Sequence, residues 1–283
     1  TLPALALLRR RWPDARIELA GNATAAALGL DAGVIDALHS QHEGRWGALF
    51  STAPLPADLA AWLADFDLIV NFWPDPTGEL RGHFPLRANQ IFLGANAQPA
   101  IAPAAAHYCE PLRALGLETN DYCFRLVAEK RGDHQPARAD APRIALHPGS
   151  GSPKKNWPLA HWAAVCEWLR QEFRAELIIV AGEAESVEVG ALARYGRLVR
   201  SAPLRDLVAQ FSGCWLFLGH DSGVSHLAAA CGVPGVLLFG PTDPTMWAPP
   251  WPQVRVIKRG PDFASISIDE VKNAVASALA DRK

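Results

Sequence analysis

Four turns in the second half of the chain gather glycines with polar and charged residues of the kinds that line a ligand site. The first is His147-Pro148-Gly149-Ser150-Gly151-Ser152-Pro153-Lys154-Lys155-Asn156-Trp157-Pro158. Its small residues let backbone approach a ligand closely, and its two lysines supply positive charge. A helix opened by Asn156-Trp157-Pro158 would aim the positive end of its dipole at the same place. Phosphate is the group such a segment suits, although a surface turn with solvated lysines has the same composition. The second turn, Gly182-Glu183-Ala184-Glu185, offers carboxylates that can accept from ribose hydroxyls or an exocyclic amine. Those acids equally suit the first turn of a helix, where they complement its dipole. The third, Gly219-His220-Asp221-Ser222-Gly223-Val224-Ser225-His226, carries the most information. Backbone N–H groups at Ser222-Gly223, the Ser222 hydroxyl and the His226 imidazole one turn further on could share one anion. Asp221 also suits a plain helix N-cap, and His226 a core histidine. The fourth, Phe239-Gly240-Pro241-Thr242-Asp243-Pro244, reads as a turn with Thr242 and Asp243 at its apex.

Each of these turns follows a short β-rich apolar run, and in an open α/β sheet ligands bind beyond the carboxyl ends of the strands. The predicted strands of this half are 144–147, 177–181, 215–219, 236–239 and 254–257, and the predicted helices are 159–173, 185–195, 204–211, 223–231 and 268–281. Helix 159–173 puts Leu159, Trp162, Ala163, Cys166, Leu169 and Phe173 on one stripe. In the first half the strand candidates are 17–20, 48–51, 68–72 and 91–93, with helices at 2–11, 57–64 and 104–115. The stretch 133–142 has two prolines and no periodicity, so it reads as a linker between domains 1–135 and 136–283. The terminal helix 268–281 is a candidate to pack back on the first domain. Alternating strands and helices predict α/β units with parallel sheets. The first half opens on a helix, with Thr1 as its expected N-cap and Pro3 in its first turn, whereas a doubly wound domain ordinarily opens on a strand. A missing first strand is the expectation.

Composition narrows the function classes. The 283 residues are 49% hydrophobic, enough for large cores, and the net charge of −2 gives no bulk attraction for nucleic acid or anionic lipid. Arg9-Arg10-Arg11 is the local exception and reads as the solvated face of a helix. No apolar run reaches the ~18 residues of a membrane span and no signal peptide is seen. Five scattered cysteines without a Cys-x-x-Cys pair predict free thiols, a reducing cytoplasm and no zinc site. Dinucleotide, Walker, nucleophile-elbow and metal-histidine motifs are absent from the sequence.

His147-Pro148-Gly149-Ser150, Lys155-Asn156-Trp157-Pro158, the Gly219–Ala229 block and Phe239–Pro244 resemble, in order and spacing, the ADP-heptose:lipopolysaccharide heptosyltransferases, glycosyltransferase family 9. Thr1–Leu5 and Arg11–Ala15 are similar to that family's first helix and its exit, so the resemblance runs over the whole chain. It implies an α/β GT-B fold, two Rossmann-like domains facing across a cleft, with the nucleotide-sugar donor in the C-terminal domain and the acceptor on the N-terminal one. It also implies inverting glycosyl transfer without a cofactor or a metal, from an ADP-linked sugar to a hydroxyl of the lipopolysaccharide inner core or a related glycan. Lys155 and Asp221 would take catalytic roles. Donor binding would fall to Ser150, Lys154, Lys155, Glu185, Asp221, Ser222, Gly223, His226 and Thr242. The family's general base belongs to a Gly-Asp step expected upstream of Thr1, and Asp75 is the in-chain candidate to replace it, although it also suits a turn residue. The resemblance further implies a cytoplasmic protein at the inner face of the bacterial inner membrane, with no obligate protein partner. Two other readings use the same donor cleft: an epimerase-like GT-B enzyme, and a non-catalytic nucleotide-sugar binding protein.

Overall fold

Parallel strands alternate with helices in both halves of the chain. The computed structural model describes residues 1–127, 141–149, 156–182 and 189–281. They fold as two units, Thr1–Tyr122 and Cys123–Lys283. The division falls earlier than the predicted 135/136 boundary because the intervening residues pack on the second unit: the Leu126 N–H donates to the Ala230 carbonyl at 2.8 Å and the Cys123 thiol to the Pro250 carbonyl at 3.0 Å. Most of the predicted linker lies outside the described residues. Among the described residues no helix is long and apolar enough to cross a membrane.

The first unit runs α1 (Leu2–Arg11), β1 (Glu18–Gly21), α2 (Ala23–Asp31), β2 (Ala37–Ser40), a 3-10 turn at Gly44–Phe50, α3 (Ala57–Ala64), β3 (Leu68–Asn71), α4 (Glu79–Gly82), β4 (Ile91–Gly94), α5 (Ala104–Cys109) and a second 3-10 turn at Glu110–Leu115. β1 pairs with β2 and β3 with β4, both parallel, as two separate two-stranded sheets. Among the described residues no strand hydrogen-bonds these two sheets together. The expected strand at 48–51 is instead the end of the first 3-10 turn. Trp46 and Leu49 are both buried three residues apart, the repeat of that helix rather than of a strand. The predicted helix 104–115 changes to 3-10 geometry at Glu110-Pro111, since proline cannot supply the N–H that would continue it. Thr1 stands at the N-cap of α1, but its side chain makes no capping bond.

The second unit runs β5 (Arg143–His147), α6 (Leu159–Phe173), β6 (Glu176–Ala181), a 3-10 turn at Gly190–Arg194, β7 (Arg197–Arg200), α7 (Leu204–Phe211), β8 (Leu216–His220), α8 (Gly223–Ala230), β9 (Gly235–Phe239), α9 (Pro244–Trp247), β10 (Val254–Lys258) and α10 (Ile268–Ala280). Its six parallel strands lie in the order β10-β9-β8-β5-β6-β7. Counted from β5, that is 3-2-1-4-5-6 read from the other edge, the doubly wound order, and it reverses between β5 and β8. β7 was not foreseen: Arg197 and Arg200 flank only two apolar residues, and an edge strand pairs on one side alone. The expected helix at 185–195 begins outside the described residues, and its described end is the 3-10 turn.

One core cluster joins one face of this sheet to α6 and the terminal helix. Trp162, Val165, Cys166 and Leu169 are the buried stripe of α6. The terminal helix α10 contributes Val271, Val275, Ala278 and Leu279 to the same cluster as Leu216, Leu218, Val236 and Leu238. It therefore covers its own sheet, which corrects the expectation that it packs back on the first domain.

Candidate functional site

The reversal between β5 and β8 places two histidines side by side at the carboxyl end of the sheet. His147 ends β5 and lies opposite Gly219, and His220 ends β8. Such a close approach requires glycine at 219, where an added Cβ would sit 2.7 Å from the Phe217 ring and 3.4 Å from the His147 carbonyl. Both histidines are buried, His220 completely. The His220 ring packs edge-on against Trp162 and Phe263, with centroids 5.2 and 5.1 Å away. Its Nε2 accepts the Trp157 backbone N–H at 2.9 Å, and its Nδ1 lies 3.4 Å from the Gly149 carbonyl. A carbonyl can only accept, so Nδ1 carries the proton and the ring is in its neutral form.

The turn after His220 opens α8. Ser222 is the N-cap: its hydroxyl accepts from the Ser225 N–H at 3.4 Å and lies 3.3 Å from His147 Nδ1 and 3.2 Å from Ser225 Oγ. Ser225 in turn donates its hydroxyl to the His220 carbonyl. Capping thus falls to Ser222 and not to Asp221, whose charge acts instead on the neighbouring His226. At Gly223 no described atom lies within 4 Å of where a Cβ would stand, so the first turn of the helix opens onto space on that side. Free N–H groups at a helix start, with room in front of them, receive anions.

The turn after β9, the strand beside β8, lies in the same unit. Thr242, after β9, has its hydroxyl buried without a hydrogen-bond partner among the described residues, while its carbonyl accepts from Lys258 Nζ at 2.8 Å. A buried hydroxyl with no partner is costly, and a ligand could supply the missing bond. Asp243 caps α9 through the Thr245 N–H at 3.0 Å. Its carboxyl is held below the usual value by the Thr245 hydroxyl and amide, with help from Lys258. His226 donates its Nε2–H to the Trp247 carbonyl at 3.0 Å, tying α8 to the end of α9. Although the residue is exposed, loss of water around its ring lowers the pKa below the ordinary histidine value. An uncharged ring with Nε2 committed presents a lone pair on Nδ1. That suits a hydroxyl donor better than the phosphate expected from spacing alone.

Asp221, Ser222, Gly223, His226 and Thr242 are therefore described in one unit, on the turns that follow β8 and β9. Ser150, Lys154, Lys155 and Glu185 lie outside the described residues. The spacing argument assigned no role to His147, His220 or Lys258. The signal available for the two histidines was a titratable residue at the last position of an otherwise apolar strand. In the first unit, Asp75 accepts from the Leu80 and Arg81 N–H groups at 3.0 and 2.9 Å. Both its oxygens hold the start of α4, which is the turn role. Among the described residues no three His, Cys, Asp or Glu side chains form a group able to hold a metal.

A parallel sheet in this order, reversing between β5 and β8, defines the Rossmann-like class of doubly wound α/β units. Residues 105–270 match the sequence profile of "Glycosyltransferase family 9 (heptosyltransferase)", and the chain belongs to that family. It is 30% identical over 158 residues to lipooligosaccharide heptosyltransferase 2 of Haemophilus ducreyi, a match covering 51% of this chain and 45% of that protein. The chain thus spans less than half the length of the curated relatives it matches. Among solved structures, the family 9 glycosyl transferase of Veillonella parvula superposes with a TM-score of 0.80 at 18% identity, over 99% of this chain and 93% of that one. The ADP-heptose lps heptosyltransferase II of E. coli gives 0.72 at 17% identity, over 99% and 94%. Likeness at this level establishes the fold, which is α/β with parallel sheets, in the GT-B class.

Proposed function

We propose that this chain acts in an inverting, metal-independent glycosyl transfer, moving a heptose from an ADP-sugar to a hydroxyl of the lipopolysaccharide inner core. The observation that carries the reading is the opening at Gly223. There the start of α8 opens onto space, and the turn after the neighbouring strand β9 carries a Thr242 hydroxyl with no hydrogen-bond partner among the described residues. Family membership supports the class of reaction, and the E. coli relative is named for ADP-heptose.

In this reading the donor diphosphate lies at the α8 N-terminus. A carboxylate base takes the proton from the acceptor hydroxyl, which attacks the anomeric carbon on the face opposite the nucleotide. Negative charge then grows on the leaving diphosphate. Groups that meet this growing charge, the N–H groups at Gly223 and, by the family resemblance, Lys155 with a smaller share for Lys154, would stabilise the transition state more than the ground state. Asp221 orients the sugar, Glu185 the ribose or base, and Ser150 adds a donor to the phosphates. His226 receives a hydroxyl on Nδ1. Asp75, spent on α4, is not the base. The enzyme works in the cytoplasm at the inner face of the inner membrane, where its acceptor is exposed.

Titration of residues 1–283 with ADP, UDP, GDP and CDP tests the donor site, with ADP expected to bind tightest. Failure of all four to bind would overturn the reading. Release of ADP from ADP-heptose only when a core acceptor is added tests transfer. Release of a free epimer would point to an epimerase instead, and binding without any turnover to a binding protein.

A further inference from the structure

We propose that His147 is a positioning residue for the start of α8: its Nδ1–H begins a one-way hydrogen-bond chain that turns the Ser222 hydroxyl inward. An anion at this helix is then left to main-chain N–H groups. This rests on the donor-site reading above. The direction of the chain follows from its far end. Ser225 Oγ donates to the His220 carbonyl, which can only accept, so the Ser225 oxygen offers its lone pairs to Ser222 Oγ, 3.2 Å away. The Ser222 proton therefore points to Ser225. Its oxygen accepts twice, from the Ser225 N–H at 3.4 Å and from His147 Nδ1 at 3.3 Å. The opposite polarity would set the lone pairs of the two hydroxyls against each other.

His147, Ser225 and His220 are buried, and Ser222 alone of the four is partly exposed. The chain joins the last residues of β5 and β8 to the first turn of α8, so it ties the helix start to both strands at the sheet's reversal. The Ser225 N–H is met by the Ser222 hydroxyl and carbonyl. The first-turn donors left without a partner among the described residues are the N–H groups of Gly223 and Val224. With its proton on Ser225, the Ser222 hydroxyl has none for a ligand, unlike the sharing expected from spacing. Two adjacent N–H groups, with open space at Gly223, receive the anion instead. Holding them in place beforehand lessens the freedom lost on binding. An N-cap serine needs only the N–H of the second or third helical residue as its partner. The imidazole is the added group here, and it occupies the lone pair that water would otherwise take.

The test uses residues 1–283 with His147→Asn, His147→Gln, Ser222→Ala and the His147→Gln, Ser222→Ala pair, each checked for folding by its urea midpoint. The Asn amide nitrogen stands where Nδ1 does and can still donate to Ser222. The Gln amide reaches one bond further, to the Nε2 position, and cannot. His147→Leu, which fills the site without a donor, replaces His147→Gln if that variant does not fold. We expect His147→Asn to bind ADP within about twofold of the parent and His147→Gln about tenfold more weakly, the scale of one lost hydrogen bond, with adenosine affinity the same in both. In the Ser222→Ala background, His147→Gln should weaken ADP binding no further. Without any ligand, hydrogen exchange of the Ser225 N–H should quicken severalfold in His147→Gln but not in His147→Asn, while amides of α7 keep their rates. Equal ADP affinity for Asn and Gln, equal losses for adenosine and ADP, or additive losses in the double variant would overturn the proposal, as would unchanged exchange in a folded His147→Gln. A parent protein that binds no ADP would overturn the donor reading instead, and the exchange rates would still decide the chain.

Discussion

The two units use the same device, a buried histidine bracketing a turn beyond a strand, in surroundings that differ sharply. In the first unit His107 donates Nε2–H to the Asn96 carbonyl at 2.7 Å and accepts the Ala100 N–H on Nδ1, closing the turn after β4. In the second, His220 brackets Gly149 and Trp157 with the opposite tautomer. The first bracket encloses Ala97-Gln98-Pro99, without charge, and the second encloses two lysines. The sheets behind them differ as well. Every residue of β8 and β9 is buried, whereas β1 and β2 contain none that is. A strand with neighbours on both sides and helices on both faces is dry, and a strand in a two-stranded ribbon is not. The turns that follow β8 and β9 thus spring from the more deeply buried sheet, the kind of base that preorganised binding of an anion requires.

The largest expected effect tests that difference in burial. Leu218→Ala, at the centre of β8, should cost roughly 3–5 kcal/mol in urea denaturation, whereas Leu19→Ala on β1 should cost about 1 kcal/mol. Equal costs would erase the distinction between the sheets. Lys155→Ala should lower turnover by roughly 10²–10³ with a smaller effect for Lys154→Ala, the scale of losing one preorganised donor to a developing anion. Equal small effects would mean that neither lysine meets the developing charge.

Asp221→Asn should reduce turnover with little change in melting temperature, because Ser222 and not Asp221 caps α8. A large drop in melting temperature at normal turnover would reverse that assignment. Thr242→Val should weaken ADP binding by about tenfold, yet leave the ligand-free protein as stable as before or up to ~1 kcal/mol more so, since it deletes a hydroxyl without a partner. His107→Phe, in the first unit, should leave ADP affinity unaltered in titration.

The smallest effect lies in the first unit. The Ile17 N–H and Arg9 hold the Asp36 carboxyl below its ordinary value. Its stabilising share is therefore complete above the unfolded value near 3.8 and fades as pH falls through the lower folded one. Asp36→Asn should flatten the acid limb of a stability–pH curve, and an unchanged limb would remove Asp36 from the account.

Local chemistry made much of this protein legible in its sequence. Apolar runs ending in glycine and polar residues marked the five β-strands 143–147, 176–181, 216–220, 235–239 and 254–258 to within a residue, and 3.6-residue periodicity marked Leu159–Phe173 and Leu204–Phe211 with their observed bounds. Weakly patterned elements escaped. Ala37-Leu38-His39-Ser40 is too short and polar to announce a strand, and α2 follows a cap at Asn22 that only the folded chain shows in use. The residue types of the site were also readable, because glycine, hydroxyl and charge after a strand have few other uses. Their division of labour was not. That Ser222 caps while Asp221 does not, that His226 spends a nitrogen on Trp247, and that His220 joins residues 71 and 63 positions away depend on which groups the sheet order brings within 3.5 Å. A hydrogen bond is a condition on distance and angle, and sequence spacing fixes neither once the partners sit on different strands.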